Sequence, residues 1–486
     1  MSALKSLAAA ASLLALAACA AVGPNYKVPE VAKAKDPAAQ APFMESKFAA
    51  VSQDPVPDGW WKLYDDPVLN GLVQEALTAN TDLRVAAANL ARAHAVSVEA
   101  DDAGGFTVGA SGAAMRSRES GEQYLKAEQL PVENLADVGV KVSYQVDLVG
   151  KLRRASEAAH ADAEASQAAL DLVRVSVAAD VARAYVEACA SGHELHVAQH
   201  TVDLQARSLE VTQKLVAAGR GTTLDVTRAR ALLDQSRAAL PTFEAHRRAA
   251  LFRLATLTGK APAEFPREVE ACAAPPKLSQ PLPVGDGAAL LKRRPDVRAA
   301  ERGLAGATAR IGVATAALYP SVSFGLSGGS TGLLADIGQP AANRWNLGGL
   351  ISWTLPGQGE HARIREAEAG ADAALARFDG TVLNALRETE TALTVYAHEL
   401  QRNAALKSAR DEAALAESQA QTLYRAGKSP YLTGLDAQRT LAGADAALAA
   451  SDAALAADQV NLFLALGGGW ETAPEVKTVA AARQKG

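Results

Sequence analysis

The sequence is poor in aromatic residues, in cysteine and in methionine. Aromatic side chains make up 5% of the 486 residues, and only three cysteines and three methionines are present. A core built from bulky aromatic side chains is therefore excluded, and the abundant alanine favours long helices that pack closely together. The scarcity of methionine also argues against a methionine-rich site for copper or silver.

The sequence also lacks a net positive charge and long apolar runs. The net charge is −5 and charged residues make up 21% of the chain, so no basic surface for nucleic acid is indicated. Beyond the N-terminus, no segment reaches the ~18 apolar residues that a membrane-spanning helix requires. If the chain is a membrane protein, we expect it to span with β-strands or to be held by a lipid.

The N-terminus has the features of a lipoprotein signal. Lys5 precedes the apolar run LAAAASLLALAA, and the sequence LAAC ends at Cys19. Small residues before a cysteine are the cleavage pattern of bacterial lipoproteins, so we predict a signal peptide over residues 1–18. Cys19 would then carry N-palmitoyl and S-diacylglycerol groups. The residue after it is Ala20 and not aspartate, which by resemblance to bacterial lipoproteins favours sorting to the outer membrane. An ordinary signal peptide with an incidental cysteine is the alternative.

The two remaining cysteines are Cys189, in a predicted helix, and Cys272, in a Pro-rich linker. An oxidising periplasm would permit a disulfide between them. A disulfide requires the two Cα atoms to lie within about 7 Å, and nothing in the sequence brings these elements together. We therefore expect no bridge.

The second half of the chain repeats the first. The stretch KLVAAGRGTTLDVTRARALL, which contains Gly219, aligns without a gap to TLYRAGKSPYLTGLDAQRT, which contains Gly427. Residues 427–429 read Gly-Lys-Ser, the end of a phosphate-binding loop, but that loop needs an earlier glycine and a preceding strand, and neither is present. A duplicated glycine instead predicts a turn between two helices in each half.

Four segments alternate apolar residues with polar or small ones. They lie near residues 105–113, 138–148, 320–329 and 345–355, and each has about the 9–11 residues of a transmembrane β-strand. A half-buried hairpin of a soluble protein is the alternative. The lipoprotein signal and the absence of another spanning segment favour the membrane. Because four strands cannot close a barrel and open edges are not tolerated in lipid, we expect several copies to share one barrel.

Long helices are expected between the strands and the turns. The chain contains no proline and only three glycines in total over residues 151–218 and 361–426. At 1.5 Å per residue each segment could form a helix on the order of 100 Å long, returning through its turn along a shorter partner. The predicted fold class is therefore mixed, with four membrane β-strands and long, coiled-coil-like helices in a chain with an internal two-fold repeat.

These features divide the chain into six segments. The turns lie near residues 219–222 in the first repeat and 427–430 in the second. The segments are the signal peptide (1–18), an extended segment (19–65), the first repeat (66–260), a linker (261–285), the second repeat (286–468) and a C-terminal tail (469–486).

Several stretches together resemble the TolC-like outer membrane factors, specifically the lipoprotein branch that serves RND-type multidrug efflux pumps. They are VGPNYKVP, WWKLYDDPVLNGLVQEALTANTDLRVAAANL, SYQVDLVGKLRRA, RRPDVRAAERGLAGATARIGVATAALYPSVSFG and the two glycine turns. The resemblance implies a homotrimer with a shared twelve-stranded outer-membrane barrel that continues into a periplasmic α-helical barrel. It also implies a passive, lipid-anchored exit duct for small molecules such as drugs, with a periplasmic adaptor and an inner-membrane transporter as partners.

The same resemblance implies a gate at the periplasmic tip, where the helix turns close like an iris. Like charges from three copies of an aspartate at the tip would favour cations. A simpler interpretation is that these aspartates cap the helices that return from the turns. The implied residues are Gly219 and Gly427 for adaptor docking, and Asp225, Arg230, Tyr424 and Asp436 for the gate.

Other functions account for less of the sequence. His193, His196 and His200 lie on one helical face, but no HExxH pattern completes a metal site and no Ser/His/Asp signature is present. We therefore predict no enzyme activity, no bound metal, no other cofactor and no nucleic-acid partner. The alternatives are an exit channel for protein secretion or metal export, and a non-conducting lipid-anchored coiled-coil scaffold. The scaffold would leave the four amphipathic strands unexplained.

Overall fold

The computed structural model describes residues 21–125, 127–278 and 280–476, so the predicted lipidation site Cys19 lies outside the described residues. None of the described helices is both long enough and apolar enough to cross a membrane. The helices are α1 (Pro37–Gln40), α2 (Pro67–Ala79), α3 (Thr81–Asp102), α4 (Lys151–Ala217), α5 (Thr223–Leu257), α6 (Arg267–Glu270), α7 (Gly287–Arg293), α8 (Pro295–Ala316), α9 (Gln358–Arg425) and α10 (Tyr431–Leu466). The strands are β1 (Val51–Ser52), β2 (Phe106–Ser117), β3 (Glu133–Val146), β4 (Leu282–Pro283), β5 (Ser321–Leu333) and β6 (Asn343–Ser352).

The chain forms two compact units. The first contains the described residues up to Pro29 and those within Leu90–Ser166 and Ala300–Phe378. The second contains Glu30–Asn89, Gln167–Ala299 and the described residues from Asp379 onward. Each unit draws segments from both predicted repeats, so this division differs from the division by sequence repeat.

The first unit contains an antiparallel sheet in the order β2-β3-β5-β6. Tyr144 on β3 lies opposite Phe106 on β2 and Phe324 on β5, and the rings of Phe106 and Tyr144 are 5.0 Å apart. Lys141 and its β5 partner Ser327 lie on the opposite face. Apolar and polar side chains therefore separate by face, as the alternation predicts. The four strands and the long helices, α4 with 67 residues and α9 with 68, confirm this part of the predicted fold class.

A charged cluster joins three strands on the polar face of the sheet. The Arg344 guanidinium on β6 donates to both carboxylate oxygens of Asp137 on β3, at 2.9 and 2.7 Å, and to the Thr331 hydroxyl on β5 at 2.6 Å. Arg344 lies over Gly139, where a Cβ atom would come within 3.3 Å of the guanidinium. The cluster is specific to one strand register, because a slip by one residue would move these side chains to opposite faces.

The segment that follows Cys19 is fastened to the first unit. The Val22 amide donates to the Val149 carbonyl at 2.9 Å, and the nearly buried Arg154 donates to the carbonyls of Val22 and Gly23 at 3.0 and 3.1 Å. A Cβ on Gly312 of α8 would lie 2.8 Å from the Val22 carbonyl oxygen, so only glycine leaves room for the segment there. Residues 22 and 23 are thus held near the end of β3.

The arginine pair of the RRPD motif caps the last helix of the second unit. Arg293 donates to the Leu466 carbonyl at 3.0 Å, and Arg294 donates to the Ala465 carbonyl at 2.7 Å. These are two of the four carbonyls that a helix C-terminus leaves without a helical partner. The Arg294 guanidinium also pairs with Asp296 at 2.7 Å and with Glu388 at 2.8 Å. One buried side chain therefore ties α8, α9 and α10 together.

Cys189 and Cys272 form a disulfide, so the expectation of no bridge is wrong. Cys189 lies on α4, is completely buried and has its Cα atom 4.9 Å from that of Cys272. The linker reaches the helix because Gly192, three residues after Cys189, has no side chain. A Cβ there would lie 2.3 Å from the Cys272 carbonyl oxygen. Gly192 is the only glycine of α4, and it was the one sequence signal of this close approach.

Candidate functional site

Both glycine turns are built in the same way. Gly219 has a φ of +72°, its amide donates to the Val216 carbonyl at 3.0 Å, and the following Arg220 amide donates to the Leu215 carbonyl at 2.8 Å. At the second turn, Gly427 has a φ of +68°, and the Lys428 amide donates to the Leu423 carbonyl at 2.9 Å. These are Schellman motifs, which satisfy the last carbonyls of a helix. The Gly-Lys-Ser sequence is therefore a helix end, as the repeat predicts.

The turn glycines are required by backbone conformation and not by crowding. A Cβ added to Gly219 or Gly427 would have no neighbour within 4 Å, but both residues lie in the left-handed region. We expect Gly427→Ala, in the turn between α9 and α10, to lower the free energy of unfolding by about 1 kcal/mol. This is the usual cost of a left-handed φ for a residue with a Cβ. Thermal unfolding of the purified protein would measure this change.

The matched control is Gly434→Ala, inside α10, where a Cβ also has no neighbour within 4 Å. Because this glycine is helical, alanine should stabilise the protein by up to about 1 kcal/mol. If Gly427→Ala lowers the stability of the protein and Gly434→Ala raises it, the turn conformation is what requires glycine. A neutral or stabilising Gly427→Ala would contradict this explanation.

Asp225 caps the start of α5, the helix that returns from the first turn. Its carboxylate accepts from the Thr222 amide at 2.9 Å and from the Thr222 hydroxyl at 2.7 Å, and the Thr222 hydroxyl accepts from the Asp225 amide at 3.3 Å. This reciprocal pair is a capping box. The bonds from the Thr222 hydroxyl and amide lower the pKa of Asp225. The carboxylate is therefore charged at neutral pH. Its geometry is that of a residue that caps the helix returning from the turn.

Asp436 has a different environment. Helix α10 begins at Tyr431 without a side-chain cap, so Asp436 lies beyond the first turn and does not cap the helix. It is 70% exposed and pairs with Arg439 at 3.0 Å. At the offset that aligns Gly219 with Gly427, the residue equivalent to Asp225 is Thr433. The two aspartates are therefore not equivalent positions of the repeat.

Tyr424 contacts a residue that links the second hairpin (α9 and α10) to the first hairpin (α4 and α5). Its ring lies 5.2 Å from that of Tyr431, the first residue of α10. The Tyr431 hydroxyl donates to the Ser208 carbonyl on α4 at 3.0 Å and lies 2.9 Å from the Ser208 hydroxyl. Sequence reasoning missed Tyr431 and Ser208, because residues 223 positions apart carry no local signal of their contact.

The remaining predicted gate residue, Arg230, is exposed on α5. Within the described residues, no hydrogen bond or ion pair joins Asp225 or Arg230 to Tyr424 or Asp436. Over the same part of the chain, no group of three or more His, Cys, Asp or Glu side chains is placed to hold a metal ion. Next to the second turn, the hairpins of one chain are linked through Tyr431 and Ser208. A gating role of the four residues stays a prediction.

Comparison with known proteins identifies the family. The family model described as outer membrane efflux protein matches residues 72–260 and 288–468. Toluene efflux pump outer membrane protein TtgC of Pseudomonas putida is 30% identical over 478 residues, which cover 96% of this chain and 95% of that protein. Probable outer membrane lipoprotein SilC of Salmonella typhimurium is 26% identical over 472 residues, which cover 94% of this chain and 97% of that protein.

The fold agrees with this assignment. The solved structure of the outer-membrane channel OprN superposes with a TM-score of 0.86 at 34% sequence identity, and the match covers 92% of this chain and 99% of that one. The resemblance inferred from the sequence is thereby confirmed, and with it the transport class of the protein. The chain belongs to the outer membrane efflux protein family.

Proposed function

We propose that the protein is the outer-membrane exit duct of a tripartite efflux pump. It would passively conduct small molecules, including drugs, that an inner-membrane RND-type transporter and a periplasmic adaptor hand over. The observation that supports this most directly is the sheet β2-β3-β5-β6, whose apolar face is open to the surroundings. Trp345 is 80% exposed and Leu347 is 71% exposed on that face. An apolar surface of this kind suits the hydrocarbon core of a bilayer.

The free edges of the sheet support a homotrimer. The outer strands β2 and β6 each have one partner in the sheet, and an unpaired strand edge is not tolerated in lipid. Neighbouring strands alternate in direction, so β6 of one copy would run antiparallel to β2 of the next. Three copies would therefore close a twelve-stranded barrel without a parallel junction. The long helices would continue this barrel as a periplasmic α-helical barrel.

The N-terminal segment supports a lipid anchor at the same membrane. With N-palmitoyl and S-diacylglycerol groups on Cys19, the acyl chains would begin three residues before Val22, which is bonded to Val149 just after β3. SilC, a relative over nearly its whole length, is named an outer membrane lipoprotein. The anchor would therefore enter the outer membrane beside the barrel.

The helix turns are the proposed periplasmic end. Gly219 and Gly427 would present the turns to the adaptor, and Leu224 and Leu432, exposed in the first turns of α5 and α10, offer apolar contacts there. The gate residues would be Asp225, Arg230, Tyr424 and Asp436. The Tyr431–Ser208 link would hold the second hairpin against the first in the closed state.

Single-channel conductance in planar bilayers tests this function. We expect small currents from the wild-type protein and currents several-fold larger from the Asp225→Ala/Asp436→Ala double variant, because the contacts that the two carboxylates would make between neighbouring copies at the closed tip would be lost. Asp234→Ala is the control, since Asp234 is an exposed aspartate on α5 away from the turn. Its currents should equal those of the wild type.

Two other outcomes would each remove part of the proposal. Equal, large currents from all three proteins would keep the channel and exclude the two aspartates from the gate. No current from any protein, despite verified insertion, would contradict the channel and favour the lipid-anchored scaffold.

A further inference from the structure

A cavity of about 150 Å³ lies between three helices of the second unit. It lies where the first hairpin, formed by α4 and α5, packs against α10 of the second hairpin. Most of its lining is apolar and small. The apolar lining residues are Val197 and Ala198 on α4, Ala239 and Phe243 on α5, and Ala442, Ala446 and Ala449 on α10.

The polar groups of the cavity offer only hydrogen-bond acceptors. The Thr201 hydroxyl donates to the Val197 carbonyl at 3.1 Å, and the Ser236 hydroxyl donates to the Leu232 carbonyl at 2.9 Å. Each hydroxyl has one hydrogen to donate, so only its lone pairs remain for a molecule in the cavity. The third polar side chain is the carboxylate of Glu194. A bound molecule would therefore have to supply the donors.

Glu194 makes no hydrogen bond or ion pair with the described part of the chain. The side chain is half-buried. Burial raises its pKa, and the nearby charges of His246 and His193 oppose this shift. A partly desolvated carboxylate without a hydrogen bond is unfavourable, and a cationic donor would compensate it.

We propose that this cavity binds a small organic cation, an ammonium group attached to a compact aromatic or alkyl body. The ammonium would donate to Glu194, and the Thr201 and Ser236 oxygens are further acceptors in the cavity lining. The apolar body would lie against Phe243 and the alanines of α10. An apolar cavity of similar volume in another protein accommodates benzene, so one ring is the size that fits. The site goes beyond the proposed channel function, which assigns no ligand to the helices.

Ligand-observed fluorine NMR on the full-length protein in detergent tests this site, with 4-fluorobenzylamine as the probe. We expect a dissociation constant on the order of 1 mM, as for a ligand of about nine heavy atoms. The neutral isostere 4-fluorobenzyl alcohol should bind at least tenfold more weakly, and the anion 4-fluorobenzoate should not bind.

Three variants separate the site from partition into detergent. Glu194→Gln keeps the shape but removes the charge, and it should weaken binding of the amine at least tenfold. Ala442→Leu should fill the cavity and abolish binding. The control is Glu187→Gln, since Glu187 is exposed on the same helix and outside the cavity lining, and it should leave binding unchanged.

Two results would overturn the site. One is equal binding of the amine to the wild type and to Glu194→Gln, and the other is equal binding of the amine, the alcohol and the carboxylate. If Ala442→Leu fails to fold, the Glu194→Gln comparison still decides. None of these measurements depends on conductance, so failure of this site and failure of the proposed channel are distinguishable.

Discussion

Replacing Arg294 with alanine should lower the free energy of unfolding by about 3–5 kcal/mol, the usual cost of removing one partner of a buried ion pair. The Arg294 side chain is 9% exposed and its guanidinium contacts Asp296, Glu388 and the Ala465 carbonyl. Without it, Asp296 loses its cation, Glu388 keeps only the longer contact to Arg387 at 3.9 Å, and the C-terminus of α10 loses a cap. Guanidinium unfolding in detergent, followed by circular dichroism, would measure the loss.

Arg237→Ala is the control for this experiment. Arg237 pairs with Asp234 at 3.5 Å, but both side chains are well exposed, so the change should stay within about 1 kcal/mol. The loss of stability for Arg294→Lys should lie between the losses for Arg294→Ala and Arg237→Ala. An ammonium keeps the charge but cannot reproduce the forked contacts of the guanidinium. Equal losses for Arg294→Ala and Arg237→Ala would contradict the assigned role of Arg294.

Removing the disulfide should lower the free energy of unfolding by about 4–5 kcal/mol. The bridge closes a loop between residues 83 positions apart, and the chain-entropy relation for a loop of that length gives this magnitude. The double variant Cys189→Ala/Cys272→Ser leaves a small apolar side chain at the buried position on α4. Its unfolding midpoint, compared with the oxidised wild type, would measure the contribution.

A reducing agent provides the matched control for the disulfide. Once the wild type has been unfolded and refolded with the reductant present, its midpoint should fall toward that of the double variant. The midpoint of the double variant should stay constant with and without the reductant. If the oxidised wild type and the double variant unfold at the same denaturant concentration, the bridge does not stabilise the fold.

The features that the sequence predicted correctly are local ones. Gly219 and Gly427 end helices because a left-handed residue is needed where the helix stops, and glycine adopts that conformation without strain. The strands follow from alternation with a period of two, and α4 and α9 follow from long stretches without proline. Each of these is determined by residues a few positions apart.

The features that the sequence did not predict join distant positions. The Cys189–Cys272 bridge, the Tyr431–Ser208 link and the capping of α10 by Arg294 connect residues 83, 223 and 171 positions apart. The cavity beside Glu194 likewise needs three helices from two hairpins. The sequence by itself determined where helices, strands and turns occur, because those depend on local backbone preferences. Only the tertiary structure decided which side chains meet, because that depends on how the helices pack.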